Sequence, residues 1–407
     1  MDDGLARAVE HSMQVLTEHP DRRVGGPGNL EATEFFAKEM ERCGLEVSRT
    51  EFECVDWEYG EAWIECEGER FQVFAGPYSL PCEVDAELVS AVSVEDLESE
   101  SVRGRVVLLR GDLARSQIMP RNFTFYNPES HKRVYRALDA FGPAAIIAAT
   151  GADPEMVGAQ YPFPLFEDGD LDIPNAYMKD VDGERLLAFA SKEVSVRIDS
   201  GRVAATGEHV VATKAGDALG RVVLTAHIDS RTGSPGAIDN ASGVAALLGL
   251  ARLLGDYTTG PTVELVPFNG EDNYANPGEM LWVAENDGRW EEIVLGVNID
   301  DAGQRGTGTH VSMYGVPEGI GQIVRSALDG RDGFAEGPQW FQSDHAILGL
   351  YGRPAIAIAS SDIAGFMASY AHSDRDTLEL ADPAMIAGIS RFLRDIVDGI
   401  AASLARS

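Results

Sequence analysis

The chain is poor in lysine, in cysteine and in long apolar runs, and each shortage excludes something. Of its 33 basic residues only Lys38, Lys132, Lys179, Lys192 and Lys214 are lysine, against 66 acidic residues. The formal charge of −33 opposes binding to nucleic acids or anionic membranes, which are themselves polyanions. Cys43, Cys54, Cys66 and Cys82 form no CxxC pair and all lie near the start of the chain. No apolar run is long enough to span a bilayer. The opening residues Met1-Asp2-Asp3-Gly4-Leu5 lack the basic-then-apolar order of an export signal. The cysteines are therefore expected to be reduced, buried thiols, and the compartment the cytoplasm. No GxSxG motif offers an activated serine. An acidic, lysine-poor surface keeps a protein hydrated where salt screens its self-repulsion, which fits a salt-rich cytoplasm. GC-rich coding would explain the arginine, but not the excess of acid.

At 407 residues the chain exceeds what one ordinary core supports, so two domains or one domain with a large insertion are expected. Apolar residues Leu5, Val9, Met13 and Leu16 recur at helical spacing over 5–18. Arg22 to Gly28 reads as a loop, 30–42 as a helix stopped by Gly44, and Leu45-Glu46-Val47 as the start of a strand. Buried-strand runs follow at Val106–Leu109 and Ala144–Ile147, separated by a helical stretch over His131–Phe141. From Arg221 strands and helices alternate: 222–226, Thr262–Phe268, Ile293–Val297 and Ala355–Ile358 extended, 244–254 and 383–402 helical. That alternation predicts an α/β fold, a mostly parallel mixed sheet sandwiched by helices. The expected division is 1–66 and 205–407 for this domain, with 67–204 a smaller inserted α/β or β-rich domain whose sheet stands apart.

Five clusters in the second half carry the chemistry: Ala226-His227-Ile228-Asp229-Ser230, Gly236-Ala237-Ile238-Asp239-Asn240, Asn269-Gly270-Glu271-Asp272, Asn298-Ile299-Asp300 and Tyr370-Ala371-His372-Ser373-Asp374. Taken singly, each has an ordinary reading. His227 and Asp229 could be a surface pair, Asp239 an N-cap, Glu271 and Asp272 two acids closing a loop. Together, two histidines and three carboxylates can close two adjacent metal sites if one carboxylate bridges. Nitrogen and oxygen donors without thiolate suit zinc, with cobalt or manganese as substitutes. Glu271 then remains to handle the proton of an activated water. Most clusters fall after strands, where ligands of open α/β sheets collect.

The order HxD, GAxDNxSG, GE[ED], NxD and H followed by DT resembles metallopeptidase family 28, the co-catalytic zinc aminopeptidases, over about Arg221 to the end and over Arg22–Glu53. The stretch between resembles the protease-associated domain. The family resemblance implies two zinc ions. His227, Asp239 and Asp300 would hold one, Asp239, Asp272 and His372 the other, with Asp239 bridging. It implies Glu271 as general base and Asp229 behind His227, orienting the imidazole. It also implies a cis peptide after Asp239, support of the His372 loop by Asp376, and a place near the substrate cleft for Ser343-Asp344-His345, without a ligand role for His345. Aspartate at 272 departs from the family's usual glutamate by one methylene. Asp301, where the family often has an apolar residue, is expected to be a solvated acid. The activity implied is a zinc-dependent aminopeptidase acting on peptide substrates. A carboxypeptidase or glutaminyl-cyclase-like enzyme would use the same fold and carboxylates. A non-catalytic binding protein is the alternative from another class, and the filled ligand positions speak against it.

Overall fold

A computed structural model describes residues 2–19, 21–123, 126–154 and 156–406. The chain divides into two compact units. Met1–Glu53, Thr206–Phe366 and Tyr370–Ser407 form one; Cys54–Ala205 with Met367–Ser369 forms the other.

The first unit is built on parallel strands. Arg221–His227 lies between Thr262–Phe268 and Ile293–Ile299, and Ala355–Ser360 continues the parallel set beyond Ile293–Ile299. Thr309–Tyr314 adds antiparallel to Ala355–Ser360. Arg221–His227 and Ala355–Ser360 are buried along their whole length, which is why they read as unbroken apolar runs rather than alternating ones. The helix Ser242–Leu253 is buried on nearly all sides, as its alanine- and leucine-rich sequence requires. It packs against Asp2–Leu16 and Pro383–Leu404. A Cβ at Gly249 would lie 2.2 Å from the Ser390 hydroxyl, so only glycine lets these two helices approach so closely. Pro27 opens the helix Pro27–Arg42, where its missing N–H costs nothing.

In the second unit Val106–Leu109, Ala145–Thr150 and Asn175–Lys179 run parallel. Their core gathers Leu97, Val107, Leu109, Val134, Leu138, Ile146, Phe163 and Phe166. The helix Glu129–Phe141 ends at Gly142 in the left-handed region, φ +52°, a regular glycine stop.

The strand Glu193–Lys214, 22 residues long, pairs early with Cys82–Glu87 and at its end with Val263–Leu265. The units divide after Glu53, inside Glu46–Cys66, and after Ala205, inside Glu193–Lys214. One expectation needs correction, that all four cysteines are buried. The cysteines are all free, but only Cys66 is buried and the others are half-buried. Cys43 closes a helix, while Cys54 and Cys82 lie on strands with a partly exposed face. Burial still pushes the Cys54 and Cys82 thiols up to about 11, which keeps them unreactive at neutral pH. No helix among the described residues is long and apolar enough to cross a membrane.

Candidate metal centre

The strand ends set the site. His227 ends its strand opposite Phe268, and the neighbouring strand turns there into Asn269-Gly270-Glu271-Asp272. Asp300 follows Ile299 directly. Asp239 precedes the helix Ser242–Leu253, and His372 follows the short helix Ile363–Ser369 with φ +57°. The loop before Asp239 closes on glycine: Gly236 has φ +57°, and a Cβ on Gly243 would lie 2.4 Å from Asn240 Oδ1 and 2.6 Å from the Ile299 carbonyl. The Asp239–Asn240 peptide is cis.

These side chains converge into two triads that share Asp239. His227 Nε2 lies 3.0 Å from Asp239 Oδ1 and 3.3 Å from Asp300 Oδ1. His372 Nε2 lies 3.0 Å from Asp239 Oδ2 and 3.2 Å from Asp272 Oδ1. Each oxygen of Asp239 thus faces a different histidine. In a tetrahedral zinc shell with bonds of about 2.0–2.1 Å, neighbouring donors are about 3.3–3.4 Å apart, close to what is seen. His227 Nε2, Asp300 Oδ1 and Asp272 Oδ2 are buried without a hydrogen-bond partner, a costly arrangement unless something else satisfies them. The donor set, its spacing and its orphaned atoms fit two divalent cations. Glu271 faces the same space, its carboxylate within 4.8 Å of donor atoms on His227 and Asp272.

The supporting shell differs from the expectation in instructive ways. Asp229 was expected behind the His227 ring, but its Oδ1 is 3.7 Å from Nδ1, and its backbone carbonyl is nearer at 3.2 Å. Its carboxylate instead accepts from the backbone N–H groups of Gly270, Glu271 and Asp272 at 2.9, 3.2 and 3.0 Å, and from Asn273 Nδ2 at 2.6 Å. Asp229 therefore fixes the turn carrying Glu271 and Asp272, while its main chain orients the imidazole. Asp376, expected to support the His372 loop, accepts from the N–H groups of Ile238 and Asp239 at 2.9 and 3.0 Å. Asp300 Oδ2 accepts the Ser343 hydroxyl at 2.6 Å, and Ser343 in turn accepts from Asn298 Nδ2 at 2.7 Å. His345 Nε2 lies 2.8 Å from the Trp340 carbonyl and belongs to none of the donor groups found among the described residues.

Two features escaped the sequence. Arg22, read as part of a loop, is fully buried. Its guanidinium donates to the carbonyls of Leu16, Ile228, Pro235 and Gly236 at 3.0, 2.9, 2.6 and 3.0 Å, pinning both ends of the loop between His227 and Asp239. Burial lowers its pKa against the pull of Asp376, Asp229, Asp239 and Asp272. Asp301 is buried rather than solvated, with φ +52°. It follows a ligand-position residue at a strand end, so the backbone carries it inward whatever its charge. A buried arginine and a buried acid look like surface residues in a sequence; no local signal distinguishes them.

The electrostatics are those of an acid cluster in need of cations. Burial opposes charge on His372, yet Asp272 and Asp239 raise it to about 10. His227 is likewise raised well above its ordinary value, by Asp300, Asp229 and Asp239 against burial. Asp239 stays far below the usual carboxylate range because the two histidines outweigh burial. The protein packed around Glu271, with Asp272, Asp300 and Asp344 adding to it and His227 opposing, raises that carboxyl well above its ordinary range. Burial also raises Glu279 to about 7, and raises its partner Asp344 well above the usual range. In the bare cluster the histidine protons offset the carboxylates; divalent cations held there would take their place and release them.

Fold and centre define a class: an open α/β protein with a buried histidine–carboxylate centre at its strand ends, suited to metal-assisted hydrolysis. Residues 209–397 match the sequence model of Peptidase family M28. A curated relative, leucine aminopeptidase 2 of Trichophyton equinum, is 24% identical over 89% of this chain and 70% of its own length. The probable leucine aminopeptidase 2 of Trichophyton verrucosum is 24% identical over 74% of this chain, which spans only 58% of that relative. Among solved structures, the aminopeptidase from Aneurinibacillus sp. strain AM-1 superposes with a TM-score of 0.74 at 21% identity, covering 98% of this chain and 93% of its own. A zinc aminopeptidase from Bacillus subtilis gives 0.72 at 19% identity, covering 98% and 94%. At such identities these two structures establish the fold.

Proposed function

We propose that this chain is a zinc-dependent aminopeptidase. The observation that carries the reading is the pair of buried triads sharing the two oxygens of Asp239. His227, Asp239 and Asp300 would hold one zinc, and Asp239, Asp272 and His372 the other. When bound, two such cations supply Lewis acidity for a carbonyl and acidify water toward neutrality. The remaining work falls to the chain. Glu271 takes the proton of the attacking water on its carboxylate and passes it to the leaving amine. Asp229 keeps Glu271 on its turn by accepting the N–H groups of Gly270 to Asp272. Ser343 holds one oxygen of Asp300 and leaves the other facing His227.

The test is zinc content together with a substrate panel. The full chain should carry two zinc ions and cleave aminoacyl anilides, lose activity to a chelator, and regain it with zinc. Release of residues from the carboxyl end, or cyclisation of N-terminal glutamine, would move the reading to the other enzymes of this fold. Zinc binding without turnover of any of them would leave a binding protein.

The same reading takes 67–204 as a protease-associated-like module, supported by the order of its strands and helices; a calorimetric scan with one transition for the whole chain would count against an independent module. It places the protein in the cytoplasm, supported by the free thiols, which cell fractionation would check. The acid excess supports a salt-rich interior, and equal stability in dilute buffer and molar salt would remove that idea.

A further inference from the structure

Arg231 stands in the loop between His227 and Asp239. Its Nε lies 3.2 Å from Asp272 Oδ1, the same oxygen that faces His372 Nε2 at 3.2 Å. The Arg231 side chain is 16% exposed and Asp272 only 3%, so water screens this pair weakly. The loop is not free to swing the arginine away. Arg22 clamps it at Ile228, Pro235 and Gly236, and the Arg231 carbonyl accepts the Ser234 N–H at 3.0 Å. The other half of the centre is built differently. There Asp300 receives the neutral Ser343 hydroxyl, which orients the carboxylate without cancelling its charge.

The two halves share Asp239, and each adds one histidine and one aspartate of its own. In the His372 half the charge of that aspartate is offset by an arginine that competes for the ligand oxygen. A divalent cation entering that half meets both a partly occupied donor and a like charge.

Resting on the metal-centre reading above, we propose that Arg231 weakens zinc binding at the Asp239–Asp272–His372 half, so that the two halves fill in order, the His227 half first. Arg231 is on this account a residue that sets metal affinity rather than one that touches substrate.

The test is a zinc titration of the metal-free full chain against a chromophoric competing chelator, a readout independent of turnover. Wild type should show two affinity classes. Arg231→Met, close in shape but uncharged, should tighten the weaker class about 10–100-fold, because it removes a like charge close to the cation and a competitor for the ligand oxygen, and leave the tighter class in place. Arg231→Lys keeps the charge and should keep the gap. Asp272→Asn should remove the weaker class alone. A single class in wild type, an unchanged or weaker second class in Arg231→Met, or loss of the tighter class in Asp272→Asn would each overturn the proposal. A wild-type chain that binds no zinc would instead sink the metal-centre reading itself, and the two failures are distinct in one titration.

Discussion

Replacing Arg22 by methionine tests whether the metal loop is held by a single buried guanidinium. The change removes four donors whose acceptors are the carbonyls of Leu16, Ile228, Pro235 and Gly236. A hydrogen bond to a charged donor contributes about 1.5–3 kcal/mol, and a buried carbonyl left unsatisfied costs about 1–3 kcal/mol. Against this, methionine lifts the cost of burying the charge, and water can reach some of the stranded carbonyls. Breaking a buried charged network without a replacement usually nets about 3–5 kcal/mol, a large part of the roughly 5–15 kcal/mol that holds a domain folded. For a unit of this size that corresponds to a melting point lowered by about 10 °C. The loss of charge has a second effect, because Asp376, Asp229, Asp239 and Asp272 lose the cation that faces them. Zinc should therefore raise the melting point more in Arg22→Met than in wild type. Arg22→Lys, which keeps the charge but not the planar fork, should fall between. The assay is scanning calorimetry of the metal-free and zinc-loaded full chain. A melting point for Arg22→Met within a degree or two of wild type would refute the reasoning.

Two further predictions concern proton chemistry. Glu271→Gln should lower kcat by about 10²–10⁴-fold with zinc content nearly unchanged, measured by anilide hydrolysis and metal analysis on the same sample; an active, zinc-loaded variant would send the search for the base elsewhere. His209 is buried with neither ring nitrogen hydrogen-bonded, and burial lowers its pKa from 6.5 to about 4. Between these values the unfolded chain holds a proton that the folded chain refuses, so its contribution to stability is lost as pH falls from about 6.5 toward 4, by about 3 kcal/mol at most. His209→Leu should therefore lose less stability than wild type between pH 7.5 and 5 in metal-free urea unfolding, and equal losses would remove the argument.

Much of the centre was legible because its donors sit at strand ends, and strand ends are visible in sequence. Val222 to Ala226 and Thr262 to Phe268 read as strands, and His227, Glu271 and Asp272 follow them within a few residues. Individual donor types and the strand–helix alternation are local properties, so composition and order sufficed for the α/β class, while the choice of His227, Asp239, Glu271, Asp272, Asp300 and His372 rested on the resemblance of the motif order to a known family. Glycine at 236 and 243 was also readable as a demand for close approach, which the contacts at Asn240 and Ile299 bear out.

What supports those donors was not legible, because support is a matter of which distant backbone a side chain meets. Arg22 acts on carbonyls more than 200 residues away, and nothing near it in sequence marks it as buried. Asp229 and Asp376 were recognised as parts of the site, but their partners, the N–H groups of 270–272 and of 238–239, exist only once the loops are folded against each other. The two pairings of Glu193–Lys214 were hidden for the same reason: that a strand is extended follows from its sequence, while its pairing depends on what the rest of the chain lays beside each half. By itself, then, the sequence determined the kinds of element and the kinds of donor, since both follow from local residue chemistry. The tertiary structure alone decided which charges are buried, which carbonyl each one answers, and that Arg231 faces Asp272, since those are set by contacts between segments remote in the chain.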